Sequence, residues 1–183
     1  MDPKRRALEA FLVVSSKMGD RQAMSQLVDL RGPSLLAHAA RLLGNADDAE
    51  DAVQHAWIDI FRGLRRLQDV RAFPAWAHRI VTRRCAKLIR GEIRDRAIRD
   101  QLMAEPEPPP TGAAEVCDDA RHIRRAIDCL PPNHRATLAL FYLEEMGVAD
   151  VAVALEIPVG TVKSRLSAAR AKLKEILKGD HHD

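Results

Sequence analysis

Residues 105–112, Glu-Pro-Glu-Pro-Pro-Pro-Thr-Gly, limit the possible folds of this chain more than any other stretch. Proline donates no backbone hydrogen bond and fixes φ, so this cluster of prolines excludes a helix or a central strand. Such a segment favours extended polyproline conformation and acts as a spacer. It divides the chain into an N-terminal block, 1–100, a linker, 101–116, and a C-terminal block, 117–183. The other reading of the segment is a long loop within one domain. Both blocks are dominated by Ala, Leu, Arg and Glu, which are strong helix formers, while aromatics make up only 4%. Val, Ile and Thr never fall into alternating runs. The expected fold is all-α: two small helical domains joined by a flexible Pro-rich linker.

Helix punctuation is readable in the first block. Gly19 ends one helix and Asp20 caps the next. Gly32-Pro33-Ser34 predicts a further break before the run from Leu35 to Leu43, which Gly44 closes. Asn45 caps another helix, with Asp47 and Asp48 in its first turn favouring the helix dipole. Along it, Ala49, Val53, Ala56, Ile60 and Leu64 recur at helical spacing and predict an inward stripe, with Trp57 in the core. Its outer face is acidic, through Asp47, Asp48, Glu50, Asp51 and Asp59. That face is either simply solvated or a surface for a basic partner.

The charge then reverses. Residues 62–99 hold twelve Arg and Lys against three Asp and Glu, a tract suited to sequence-independent attraction to phosphates. Phe73, Ala77, Ile80, Val81 and Leu88 predict a buried stripe, and His78, Arg79, Thr82, Arg83, Lys87 and Arg90 the opposite face. Trp76 fits a core, wedge or base-stacking role.

In the second block, residues 148–155 and 159–173 predict two helices joined by a tight turn at Glu156-Ile157-Pro158. Val162, Leu166, Ala169 and Leu173 form the inner stripe of the second helix. Thr161, Ser164, Ser167, Ala168 and Ala171 leave its far side small or hydroxyl-bearing, flanked by Lys163, Arg165 and Arg170. This pattern suits a recognition helix in the major groove, where polar side chains read base edges and cations meet phosphates. An amphipathic surface helix with a solvated basic face accounts for the same pattern when that helix is taken alone.

Several function classes are excluded. The net charge of +3 is too small to identify a partner by itself. Cys85, Cys117 and Cys129 have no zinc-like spacing and suggest a reduced cytoplasmic chain; Cys85 reads as a small core residue. The first residues lack the apolar core and cleavage site of a signal peptide, and no stretch approaches the roughly 20 apolar residues of a membrane span. No phosphate-binding loop, nucleophile elbow or catalytic acid–base set is present. No cofactor or metal is expected, and His181 and His182 read as part of a polar tail. The chain is therefore expected to be a non-enzymatic binding protein.

The run Ala126–Leu143 followed by the helix-turn-helix, and PVGTVKSRLSAARAKL above all, resembles region 4 of sigma-70 family sigma factors of the extracytoplasmic-function (ECF) type. RLLGNADDAEDAVQHAWIDIFRGL and FPAWAHRIVTRRCAKLIRG resemble region 2 of the same family. The resemblance extends over about residues 19–177 and keeps the family's order across the linker. It implies a transcription initiation factor that binds core RNA polymerase and promoter DNA, with an anti-sigma factor as a further partner. By resemblance, Asp48, Asp51 and Gln54 dock on the polymerase clamp helices. Arg71, Trp76, Arg79, Thr82, Arg83, Lys87 and Arg90 handle the single-stranded −10 element. Thr161, Lys163, Ser164, Arg165, Ser167, Ala168, Arg170 and Ala171 read the −35 duplex. The chain departs from the family pattern in having Arg83 where Asn is frequent and Lys87 where Asp is frequent, which shifts this face towards phosphate attraction. A helix-turn-helix regulator that is not a polymerase subunit is the rival reading.

Overall fold

In the computed structural model, residues 3–100 and 126–179 are described. The linker 101–116, Cys117 and the final histidines lie outside them. Among the described residues there is no strand, in agreement with the all-α expectation. Among the described residues the chain forms α1 (Pro3–Lys17), α2 (Arg21–Leu43), α3 (Ala46–Gly63), α4 (Phe73–Asp100), α5 (Pro132–Tyr142), α6 (Val148–Leu155) and α7 (Val159–Gly179). Two short 3-10 turns, Leu64–Arg66 and Val70–Ala72, carry the chain from α3 to α4.

The helix boundaries have local causes. Asp20 accepts hydrogen bonds from the backbone N–H groups of Gln22 and Ala23 at 2.8 and 3.2 Å, and Asn45 caps α3 from Asp47 N–H. Replacing Asp20 with Ala is expected to lower stability by about 1 kcal/mol, measured by urea unfolding, because two orphan donors lose their acceptor. Gly44 closes α2 at φ 75°, a left-handed conformation that glycine adopts without penalty.

The expected break at Gly32-Pro33-Ser34 does not occur: α2 runs through Pro33 without interruption. Proline inside a helix costs about 3 kcal/mol, since the carbonyl four residues earlier loses its donor. Here Leu27 and Arg31 before the proline, and Leu35, His38 and Ala39 after it, are all buried by the surrounding helices. Packing on both sides of Pro33 outweighs the local preference.

The buried apolar residues form two clusters. The first gathers Leu12, Leu27, Leu35, Val53, Ile60, Phe73 and Val81 from α1–α4. The second gathers Leu130, just before α5, with Leu140, Val151, Leu155, Val162 and Leu166 of the C-terminal helices, and Leu42 of α2 packs against it. Trp57 is buried and stacks on Phe61, as expected. The two sets of helices also meet directly: α6 lies along α4, and α5 lies against α2.

Candidate nucleic-acid interface

The geometry of α4 decides which of its cations are available. Phe73, Ala77 and Val81 are buried as expected, but the stripe ends at Cys85. Ile80 is half-buried, and Leu88 is exposed at the groove where α4 passes the first turns of α3. His78, expected on the open face, is instead fully buried. It sits edge-on to His38, ring centroids 5.1 Å apart. Its Nδ1 donates to the Pro74 carbonyl, leaving Nε2 to accept from the Ser34 hydroxyl. Thr82 donates its hydroxyl to the Ala154 carbonyl of α6 at 2.8 Å, so His38 Nε2 must be the donor to Thr82 Oγ1. His38 Nδ1 is then left without a partner. Both imidazoles are neutral. Burial pushes His38 well below the usual histidine range, with His78 and Arg41 adding to the effect. Burial also lowers His78 to about 4.

The face of α4 assigned to single-stranded DNA is thus divided. Arg79 and Arg83 converge on the Glu156 carboxylate, in the turn between α6 and α7. Arg83 first, then Arg79, hold that carboxyl below its ordinary range by hydrogen bonding. Trp76 is half-buried, with its ring against Gly63 and Phe73. A Cβ at Gly63 would lie 3.0 Å from the indole, so a larger residue there would need the Trp76 ring to shift by a few tenths of an ångström. Arg71 is exposed and paired with Asp69. Lys87 and Arg90 are exposed.

On α3, Asp51 and Gln54 are exposed, whereas Asp48 is half-buried and accepts from the Asn45 side chain. Asp59 leaves the acidic face to pair with Arg84 of α4. Asp48, Asp51, Lys87 and Leu88 line one groove between the acidic and basic helices.

The recognition helix α7 buries Val162, Leu166 and Ala169, with Leu173 half-buried. Its other side is open: Lys163, Ser164, Ser167, Ala168, Arg170 and Ala171 are exposed, and Thr161 and Arg165 half-buried. Arg170 is not a free flanking cation. It donates to the Tyr142 hydroxyl at 2.8 Å and lies over the Tyr142 and Phe141 rings. Sequence reasoning missed Glu156, Glu144 and Arg31. The one local signal was Glu156, which closes α6 at φ 55°, a left-handed position that glycine or asparagine fills more easily.

An acidic helix beside a basic one, joined to a helix-turn-helix with an open recognition face, defines a bipartite helical nucleic-acid-binding protein. Residues 27–95 match Sigma-70 region 2, and residues 120–173 match Sigma-70, region 4. ECF RNA polymerase sigma factor SigM of Mycobacterium tuberculosis is 33% identical over 170 residues, covering 92% of this chain and 84% of that protein. ECF RNA polymerase sigma factor SigE of Mycolicibacterium smegmatis is 32% identical over 167 residues, and the chain spans 64% of its length. Among solved structures, CnrH in complex with the cytosolic domain of CnrY superposes with a TM-score of 0.63 at 28% identity, covering 94% of this chain and 99% of CnrH. The chain belongs to the ECF group of sigma-70 family RNA polymerase sigma factors, which are transcription initiation factors. No helix among the described residues is long and apolar enough to cross a membrane.

Proposed function

We propose that this protein is a dissociable specificity subunit acting in the cytoplasm: it binds core RNA polymerase, selects promoters, and leaves all catalysis to the polymerase. The observation that carries this reading is the ordered pair of region 2 and region 4 matches, with the recognition face of α7 open to solvent. The proposed domains are 1–100 and 117–183, joined by the linker 101–116. Asp48, Asp51 and Gln54 are assigned to the polymerase, with charge setting orientation and association rate. The α7 residues from Thr161 to Ala171 are assigned to the −35 duplex, and the α4 face to the melted −10 strand. Base extrusion there costs a few kcal/mol, offset by pocket and phosphate contacts. An anti-sigma factor is proposed as regulator, since CnrH, to which this chain is similar, is solved in complex with the cytosolic domain of CnrY.

In vitro transcription on a library of promoter fragments, with core RNA polymerase with and without the protein, tests the proposal. Discrete start sites that depend on the protein are expected. Specific duplex binding without stimulation would instead indicate a stand-alone helix-turn-helix regulator. Within the −35 contact, Lys163→Ala is expected to weaken duplex binding about equally across sequences and to reduce the salt dependence by about one counterion. Fluorescence anisotropy at several salt concentrations measures both; an unchanged slope removes Lys163 from the phosphate contacts.

A further inference from the structure

The Arg79–Arg83 pair makes an anion-binding fork. Arg79 Nε lies 2.7 Å from Glu156 Oε1, and Arg83 places Nε at 2.8 Å and Nη2 at 2.7 Å from the same oxygen. Two guanidiniums thus each donate a hydrogen bond to one carboxylate oxygen, with Arg83 Nη2 in ion-pair contact with it as well; guanidiniums grip phosphate oxygens by charge-assisted bonds of this kind. The fork is open to solvent, with the Arg79 and Arg83 side chains 40% and 57% exposed. Lys87 and Arg90 line the same concavity as Arg83 and Glu156, so the cationic track continues past the fork along α4. The turn itself does not call for a glutamate, since the left-handed backbone at 156 favours glycine.

We infer that the Arg79–Arg83 fork is a binding site for a backbone phosphate of single-stranded DNA, and that the Glu156 carboxylate occupies it as an internal stand-in for that phosphate. The inference rests on the initiation-factor reading and names the chemistry of its strand-binding face: at Arg83 the contact is to phosphate rather than to a base. Strand and carboxylate compete for the same donors. Strand capture therefore coincides with release of α6 from α4, while the recognition face of α7, which Glu156 does not cover, is open in either state.

The test uses the full chain and fluorescein-labelled oligothymidylate of about twelve nucleotides, long enough for a single-strand site. Glu156→Gln is expected to tighten binding roughly fivefold at low salt, the scale of one partly exposed ion pair. Glu156→Gly, which also relieves the left-handed backbone, is expected to do the same and guards against a folding artefact. Asp150→Asn removes the same charge from the exposed start of α6 and is expected to leave binding unchanged. The gain should vanish when uncharged methylphosphonate linkages replace the phosphates, and when Arg79→Ala and Arg83→Ala are added to Glu156→Gln. Equal affinity in the wild type and both Glu156 variants overturns the inference, as does a gain that survives either control or is matched by Asp150→Asn. Protein-dependent transcripts from the wild type, together with no gain in the Glu156 variants, would overturn the phosphate site while leaving the initiation reading intact.

Discussion

Arg31→Met is expected to lower folding stability by about 3–5 kcal/mol, the usual loss when one member of a buried ion pair is removed. The Arg31 side chain is 3% exposed and the Glu9 side chain 5%. Its Nε and Nη2 reach the two Glu9 carboxylate oxygens at 2.7 and 2.5 Å, a two-pronged pair that ties α1 to α2. Its remaining terminal nitrogen, Nη1, reaches Glu144 at 3.0 Å, between α5 and α6. Methionine fills much of the space and answers neither carboxylate, so Glu9 would remain a buried charge without its guanidinium. The double variant Glu9→Leu with Arg31→Met is expected to recover most of the loss, because it removes both charges from a dry site. Urea unfolding of the wild type and the two variants measures the effect. A loss below about 1 kcal/mol in Arg31→Met would show that water reaches Glu9 readily.

Acidification is expected to produce the second large effect. His38 and His78 are both buried and neutral, and His78 is lowered to about 4 from an ordinary value of 6.5. The charged and titratable groups facing the pair are Arg31 and Arg41 on α2 and Glu144 before α6. Of these, Glu144 favours protonation of His78, while the arginines oppose it. In the unfolded chain each histidine takes up a proton as pH falls through about 6.5, whereas the folded chain excludes it. Stability is therefore complete above that value and is lost as pH falls towards 4. The slope is about 1.4 kcal/mol per pH unit for each histidine in that window. Between pH 7.5 and pH 5 His78 alone should account for about 2 kcal/mol. Urea unfolding at several pH values measures the slope, and His78→Gln should flatten it by about half while leaving the His38 contribution. A stability that does not change between pH 7 and pH 5 would mean that protonated imidazole is accommodated at this interface.

Much of this protein is decided locally and was legible without coordinates. The caps at Asp20 and Asn45, the glycine stop at Gly44 and the turn at Pro158 depend on backbone chemistry within a few residues. The inward stripes of α3 and α7 follow from helical periodicity alone, since each helix buries one face. The charge reversal from α3 to α4 and the small, polar outer side of α7 are likewise properties of the chain itself, and they led to the family that the comparisons show.

What the tertiary structure decided lies where separate elements meet. Pro33 stays within a helix because Arg31, Leu35 and His38 are buried on either side of it, an energy no local rule includes. His78 and Thr82, read as an open face of α4, are covered because His38 and the Ala154 carbonyl approach from α2 and α6. Glu156 is separated from Arg79 and Arg83 by more than seventy residues, and nothing in helical spacing pairs them. Periodicity shows which side of a helix is polar. Only the packing of one helix on another shows whether that polar side meets water, a nucleic acid or the rest of the same chain, because that depends on long-range contacts that bury some charges and leave others free.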